Sequence, residues 1–286
     1  MAPTFLQIIL LGLIQGAAEL LPVSSSAHVI VAEKLMRLDP SSPEMTFLLV
    51  MLHAGTMVAV IVYFWRGWQR SIFASRRQFM VSARQILLAT AATGLLGVGL
   101  KVFIEKLIIG GHQAEIEQLF GSLPVIGTAL LAAGGLILWS ARRIRRRPAR
   151  AELSDGAALW IGIAQGFCLP FRGLSRSGTT ISVGLLQGVA QKPAEVFSFA
   201  LAVVLTPAAI ALEAHRLFKA HPEVARGDHL PALLQPGLIG LAASFTAGLL
   251  ALVWLSNWLE RGRWHWFGYY CLAAAGLVYV LAANGL

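Results

Sequence analysis

The chain has 286 residues; 57% are hydrophobic and only 13% charged, against about a quarter charged in a typical soluble domain. With a mean hydropathy of +0.69, this excludes an ordinary soluble core and predicts an all-α, polytopic membrane protein. The net charge of +9 gathers in 66–84 and in "RRIRRRPAR" (142–150), which read as short cytoplasmic loops rather than a nucleic-acid surface, so no nucleic-acid partner is expected.

The first apolar region, 5–35, is interrupted at "LPVSSSAH". It lacks a basic n-region and contains Glu19, so signal cleavage is not expected. Each half is too short to span a bilayer, which takes about 20 apolar residues. A proline followed by small polar residues ends one helix and caps the next, with Ser24 or Ser25 in the capping position. Irregular backbone at membrane depth survives only where protein or a cavity surrounds it. The region therefore reads as a re-entrant helical hairpin.

Spans are predicted at 45–65, 85–104 and 121–141. Gly94, Gly97 and Gly99 in the second would permit close packing. A second interrupted region, 157–190, breaks at "LPFRGLSRSGTT" and reads as a second hairpin. Spans at 196–214, 235–258 and 265–284 complete six, with Trp65, Trp68 and "WHWFGYY" (264–270) as interfacial aromatics. Cys168 and Cys271 lie far apart in apolar surroundings and read as packing residues.

"LGLIQG" (11–16) resembles "IGIAQG" (161–166), and "SSSAH" (24–28) aligns with "SRSGT" (175–179). These imply two repeats in one integral membrane domain over 1–286: about 1–141 with hairpin 5–35, and about 151–286 with hairpin 157–190. Basic loops inside, with an odd number of spans between the hairpins, make the repeats inverted. Broken helices in inverted repeats place a site near the midplane. The same count puts both termini and 213–229 outside.

The second break carries an anion site. Ser175 to Thr180 follow Gly173 and open a helix, whose free N–H groups and dipole attract anions. Arg176 adds a planar charged fork suited to phosphate oxygens. Ser177, Thr179 and Thr180 offer hydroxyls, and Gly178 allows close backbone approach. In the first break, Gln15 and Glu19 share one helix face, and an acid inside an apolar helix points to function. Ser24, Ser25, Ser26 and His28 follow. An acid, a serine and a histidine suit nucleophilic or acid–base work; alternatively Glu19 and the Gln15 carbonyl would hold a hard divalent cation, with phosphate oxygens completing its shell. Together these are parts of a phosphoryl-transfer site acting on a lipid phosphate.

"QGAAELLPVSSSAH" and "RGLSRSGTT" resemble the two motifs of the bacterial undecaprenyl-diphosphate phosphatases, the bacitracin-resistance family. Gln15, Glu19, Ser25 and His28 take the positions of the first motif; Ser175, Arg176, Ser177 and Thr180 take those of the second. The likeness continues through "LHAGTMVAVIVYFWR" (52–66) and "FSFALAV" (197–203). Two departures stand out: Gln15 replaces the more common acid, and Arg172 stands where the family usually has proline, adding a positive charge beside the cradle.

The resemblance implies hydrolysis of undecaprenyl diphosphate to the monophosphate and inorganic phosphate, recycling the lipid carrier of cell-wall synthesis. It also implies six spans and two hairpins, an inner-membrane location with a site facing the periplasm, dependence on Mg²⁺ or Ca²⁺, and a possible homodimer. The expected roles are Glu19, Ser25, His28 and Arg176 as catalytic groups; Ser175, Arg176, Ser177, Gly178, Thr180 and Ser26 as phosphate contacts; Glu19 and Gln15 toward the metal; and His53 and Arg172 as supporting residues. A lipid flippase or transporter using the same cradle is the rival reading.

Overall fold

A computed structural model describes residues 3–40, 42–107, 122–144, 152–220, 222–225 and 230–285. Among these residues all regular structure is helical. The helices are α1 Phe5–Leu20, α2 Ser25–Leu35, α3 Pro43–Ser71, α4 Arg76–Leu107, α5 Leu123–Ile144, α6 Asp155–Cys168, α7 Arg176–Leu186, α8 Gln191–Ala220, α9 Leu230–Glu260 and α10 His265–Ala283, with one further turn at Pro222–Ala225. Six of them, α3, α4, α5, α8, α9 and α10, are long and apolar enough to cross a membrane. Their outward faces are apolar as well: Leu87, Leu95 and Leu250 are more than two-thirds exposed. Such faces suit a lipid environment, in which the helices satisfy their backbone groups internally.

The basic stretch 66–84 is not the loop expected from its charge. Helix α3 runs on to Ser71 and α4 starts at Arg76, leaving only a short connection. Arginine is a good helix former, and a cation such as Arg70 in the last turn of α3 favours its negative dipole end. Of the second basic run, Arg142 and Arg143 close α5; 145–150 lie outside the described residues, as do 221 and 226–229 of the segment 213–229.

The two halves, α1–α5 and α6–α10, share one helix order: two short helices, then three long ones. Their packing also corresponds. Helix α1 packs on α9 of the other half, and α6 packs on α4; α3 packs on α8 and α5 on α10. The "LGLIQG" and "IGIAQG" stretches explain these crossings. A Cβ on Gly16 would stand 2.4 Å from the Ser244 carbonyl oxygen of α9, and one on Gly162 would stand 2.3 Å from the Ala89 carbonyl oxygen of α4. Only glycine permits either approach. Small residues that let backbones come close are how helices associate in lipid, where apolar burial alone gives no preference. Hydroxyls add to this packing: Thr93 donates to the Gly162 carbonyl at 2.9 Å across the α4–α6 crossing, and Ser244 donates to the Leu52 carbonyl at 2.9 Å, tying α9 to α3.

The glycines expected to pack within α4 do so in one case of three. Gly97 meets the Leu169 side chain, whereas Gly94 and Gly99 face open space. Glycine spacing alone does not say which face of a helix a neighbour covers. Both cysteines are free, and Cys271 is buried with its thiol donating to the Pro22 carbonyl.

The largest apolar cluster holds both breaks in place. Leu20, Leu21 and Val23 from the first, with Ile181 and Leu185 from α7, pack with Phe64 of α3, Phe199 of α8 and Trp264. Phe64 and Phe199 stack at 5.0 Å between ring centroids. The tips of the two interrupted regions are thereby brought together in the interior.

Candidate active site

The first break is the segment Leu21–Ser24 between α1 and α2; the second is Leu169–Ser175 between α6 and α7. Three contacts join them. Arg176 Nη2 meets Glu19 Oε1 at 2.7 Å. The Ser177 hydroxyl donates to the Leu21 carbonyl at 3.1 Å. The Gly173 N–H donates to Ser26 Oγ at 3.3 Å. Gly173 has φ +106°, which glycine adopts without strain, and its Cα hydrogen leaves room for the Ile126 carbonyl where a Cβ would clash at 2.6 Å.

Ser175 is the N-cap of α7, its hydroxyl accepting from the Gly178 N–H at 3.1 Å. The helix therefore starts with Arg176, which the cap aims across the interface. One guanidinium nitrogen is spent on Glu19, while Nη1 is buried without a hydrogen-bond partner. A buried unsatisfied donor carrying charge is costly, so this nitrogen points to an absent acceptor.

Around Glu19 the first break supplies the remaining groups. Ser25 donates to Glu19 Oε2 at 2.5 Å, and the Gln15 amide lies 3.4 Å from the same oxygen. Both carboxylate oxygens are thus engaged, one by a cation and one by a hydroxyl. His53 on α3 stands within electrostatic range of Glu19, its Nδ1 held by the Leu49 carbonyl at 2.8 Å. A narrow cleft opens over the Glu19–Arg176 pair, lined also by Thr56, Met57 and Val60 of α3 and by Ala202, Val203 and Thr206 of α8.

Several sequence-predicted residues sit elsewhere. His28 does not reach Glu19 or Ser25 by a hydrogen bond. Its Nδ1 faces the Ser24 carbonyl at 2.7 Å and its Nε2 the Tyr270 hydroxyl at 2.7 Å. A carbonyl only accepts, so Nδ1 carries the proton, and in the neutral ring Nε2 accepts from Tyr270. Thr180 is fully buried; its hydroxyl donates to the Arg176 carbonyl at 2.8 Å and meets Ser198 Oγ of α8 at 2.6 Å. It joins α7 to α8 and does not face the pair. Ser26 is a stitch between the breaks, also meeting Ser24 Oγ at 3.3 Å. Ser24 makes no side-chain cap for α2; instead it holds φ +69°. Arg172 is exposed, and the cation paired with Glu19 is Arg176 rather than Arg172.

Sequence reasoning missed Thr56, Thr206 and Tyr270. Thr56 and Thr206 stand at the same separation as Gln15 and Gln165, so extending the repeat comparison into α3 and α8 would have paired them. Tyr270 was hidden in an aromatic run that resembles an interfacial belt.

Hard cations take carboxylate and amide oxygens, and Glu19 and Gln15 lie one turn apart on α1. The Gln15 amide nitrogen faces Glu19 Oε2 at 3.4 Å, so the amide would have to turn over to offer its oxygen to a cation there. No group of three His, Cys, Asp or Glu occurs among the described residues, so Glu19 and Gln15 are the donors this site offers and substrate oxygens would complete the shell.

Comparison with known proteins places the chain among its relatives. The family model for bacitracin resistance protein BacA matches residues 8–277. The chain is 53% identical to undecaprenyl-diphosphatase 2 of Acinetobacter baylyi over 98% of its own length and 99% of that protein. It is 33% identical to the undecaprenyl-diphosphatase of Syntrophotalea carbinolica over 98% and 100%, and 31% identical to that of Korarchaeum cryptofilum over 93% and 95%.

Proposed function

The chain belongs to the bacitracin resistance protein BacA family, and from that premise we propose that it is an undecaprenyl-diphosphate phosphatase, hydrolysing the lipid diphosphate to monophosphate and inorganic phosphate. The observation that carries the reading is the Arg176–Glu19 pair at 2.7 Å between two helix breaks, with Arg176 Nη1 still without an acceptor.

In this reading Arg176, the Ser177 backbone and the other free N–H groups at the start of α7 hold the terminal phosphate and stabilise charge as it develops, usually the largest catalytic contribution. Substrate binding draws the guanidinium fork from Glu19 toward phosphate oxygens. Ser25 Oγ is then the nucleophile. Glu19, already hydrogen-bonded to it, takes its proton as the oxygen bonds to phosphorus and the lipid monophosphate leaves. Water then attacks the phosphoserine; Glu19's proton returns to Ser25 Oγ and inorganic phosphate departs. His28, held by Ser24 and Tyr270, shapes the first break and does not act as the base for Ser25. A divalent cation such as Mg²⁺ or Ca²⁺, when bound by Glu19 and the Gln15 carbonyl, would supply charge neutralisation for the diphosphate.

The membrane setting follows from lengths. At 1.5 Å per residue, α1 and α6 extend only about 24 and 21 Å, and α2 and α7 about 16 Å, against a hydrocarbon core of about 30 Å. Each pair is therefore read as a re-entrant hairpin. Arg66 and Arg70 in the last turns of α3 and Arg76, Arg77 and Arg84 in the first turns of α4 mark that side as cytoplasmic by the positive-inside rule. The hairpins then enter from opposite faces, the repeats are inverted, the termini lie outside, and the site faces the periplasm of a bacterial inner membrane. Every group the chemistry uses comes from one copy of the chain.

Hydrolysis is favoured over lipid transport because a serine hydroxyl 2.5 Å from a partly buried carboxylate is a reactive arrangement that carrying a lipid does not require. Purified protein in detergent should release phosphate from a long-chain prenyl diphosphate with a divalent-metal requirement. Rapid quench should trap phosphoserine at Ser25. Lipid binding without release would overturn the enzymatic reading; release without any phosphoserine would overturn the covalent step alone.

A further inference from the structure

A recess of about 300 Å³ lies between α2, α5 and α10, separate from the cleft over Glu19 and Arg176. Buried Ala27, Leu130 and Val278 form its floor, and the more exposed Ala273, Ala274 and Leu277 its rim. Along α10 its lining runs from Tyr270 to Leu281, about 16 Å at the helical rise. The chemistry above leaves it unused.

His28 and Tyr270 are the polar residues of the lining, and their polar atoms are already spent. His28 Nδ1 is held by the Ser24 carbonyl at 2.7 Å, and Nε2 meets the Tyr270 hydroxyl at 2.7 Å. The two rings stack with centroids 5.7 Å apart and planes 15° apart. What they offer a ligand is therefore ring surface, not a hydrogen bond. The remaining lining is aliphatic, with alanines hollowing the surface between larger leucines. The recess as a whole suits a hydrocarbon chain.

Its position selects which chain. His28 follows Ser25 by three residues on α2, so the two stand one turn apart on neighbouring faces. Ser25 is the hydroxyl in contact with Glu19. The recess thus begins about 5 Å along the helix axis from the reacting oxygen. In a prenyl diphosphate a single further phosphate separates the phosphorus under attack from the first isoprene unit. A substrate with its terminal phosphate at Ser25 must start its chain beside His28 and Tyr270.

Resting on the phosphatase reading, we propose that this recess holds the first isoprene units of the lipid diphosphate, with the His28–Tyr270 rings at the head end and Leu281 at the far end. The rest of the chain runs on into the bilayer. The recess is remote from the phosphorus, so it binds the ground state and the transition state alike. Such binding lowers KM without raising kcat. The recess therefore sets the preference for long chains over short ones and leaves the chemical step alone.

The experiment measures kcat and KM in detergent for farnesyl diphosphate, which carries three isoprene units, and dimethylallyl diphosphate, which carries one. Ala274→Phe fills the recess one turn beyond Tyr270, and Leu277→Trp fills it from the exposed rim. Val280→Phe adds similar bulk on exposed α10 surface outside the recess. Thermal unfolding of each variant checks the fold, and the rim variant keeps the test decisive if Ala274→Phe disturbs helix packing. Both filling variants should raise KM for farnesyl diphosphate about tenfold, the worth of roughly two buried methylene groups. Their kcat, and their KM for dimethylallyl diphosphate, should stay within about twofold of wild type. Val280→Phe should leave every constant within about twofold. An equal rise for both substrates, or no rise for farnesyl diphosphate in either filling variant, would overturn the proposal. So would the same rise in Val280→Phe, which would make bulk lipid or detergent the occupant. Arg176→Ala on farnesyl diphosphate separates the two readings. If it still hydrolyses, the phosphatase site is wrong; if it is dead while the filling variants keep the wild-type chain-length preference, only this proposal falls.

Discussion

The two helix breaks stand at matching places in the two halves, yet they carry opposite chemistry. The first has Glu19 and Ser25, an acid and a hydroxyl in contact. The second has Arg176, aimed by a capped helix start. Their backbones differ too. The second turns on a glycine at φ +106°, whereas the first turns on Ser24 at φ +69°, a region that side chains other than glycine seldom occupy. Ser24's carbonyl accepts from His28 and its hydroxyl meets Ser26, so local contacts with the first two turns of α2 hold the strained residue. A repeated scaffold thus supplies two similar helix tips, and the few side chains that differ divide the work. In the proposed mechanism one tip takes hold of phosphate and the other attacks it.

That comparison can be broken most directly by disabling one tip at a time. Glu19→Gln and Arg176→Ala should each lower phosphate release by about 10² to 10³ with the thermal transition retained, because the two act on one reacting phosphate. The phosphate-release assay checks this, and a large effect from only one of them would dismiss the shared site. Arg176→Lys should lose about tenfold, since it keeps the charge but not the planar fork.

The scaffold itself is tested at the matched crossings. Gly162→Ala should destabilise by about 2 kcal/mol through overpacking, given the 2.3 Å approach of its Cβ to the Ala89 carbonyl. Gly94→Ala, facing open space, should stabilise by up to about 1 kcal/mol through helix propensity. Thermal unfolding in detergent reads both, and equal signs would reject the packing account of the "IGIAQG" stretch.

A smaller effect is expected from the stitches. Ser177→Ala and Ser26→Ala each remove one bond between the breaks and should cost about 1 kcal/mol, seen as a lowered unfolding temperature. The smallest change is expected at Tyr270→Phe. It removes the donor to His28 Nε2 and should alter kcat by less than about tenfold, the worth of one neutral hydrogen bond. A loss as deep as that of Glu19→Gln would make His28 a direct participant.

Much of this was legible in the chain. The six spans emerge from continuous apolar runs; α3, α4, α8 and α9 run past the expected limits at both ends, α4 starting at Arg76 rather than 85, whereas α5 starts at Leu123 rather than 121 and α10 ends at Ala283 rather than 284. Both breaks are visible because proline and small polar residues interrupt helices locally. Glu19 and Arg176 stand out because charge in an apolar segment demands a reason. The destination of each hydroxyl was not legible. Ser177, Ser26 and Thr180 are chemically alike and close in type, but one faces the other break, one receives its backbone and one turns to α8. A one-residue step rotates a side chain by about 100°, so small differences in register decide which neighbour it meets.

The amino-acid sequence by itself determined the helical class, the number of spans, the position of both interruptions and the charged residues that mark them, because each depends on local hydropathy and local backbone preference. Only the tertiary structure decided that Arg176 closes on Glu19 across 157 residues, that His28 pairs with Tyr270 rather than Ser25, and that Thr180 turns to Ser198. Those outcomes depend on where glycine-lined crossings bring two helix tips together, a property of packing that no single segment carries.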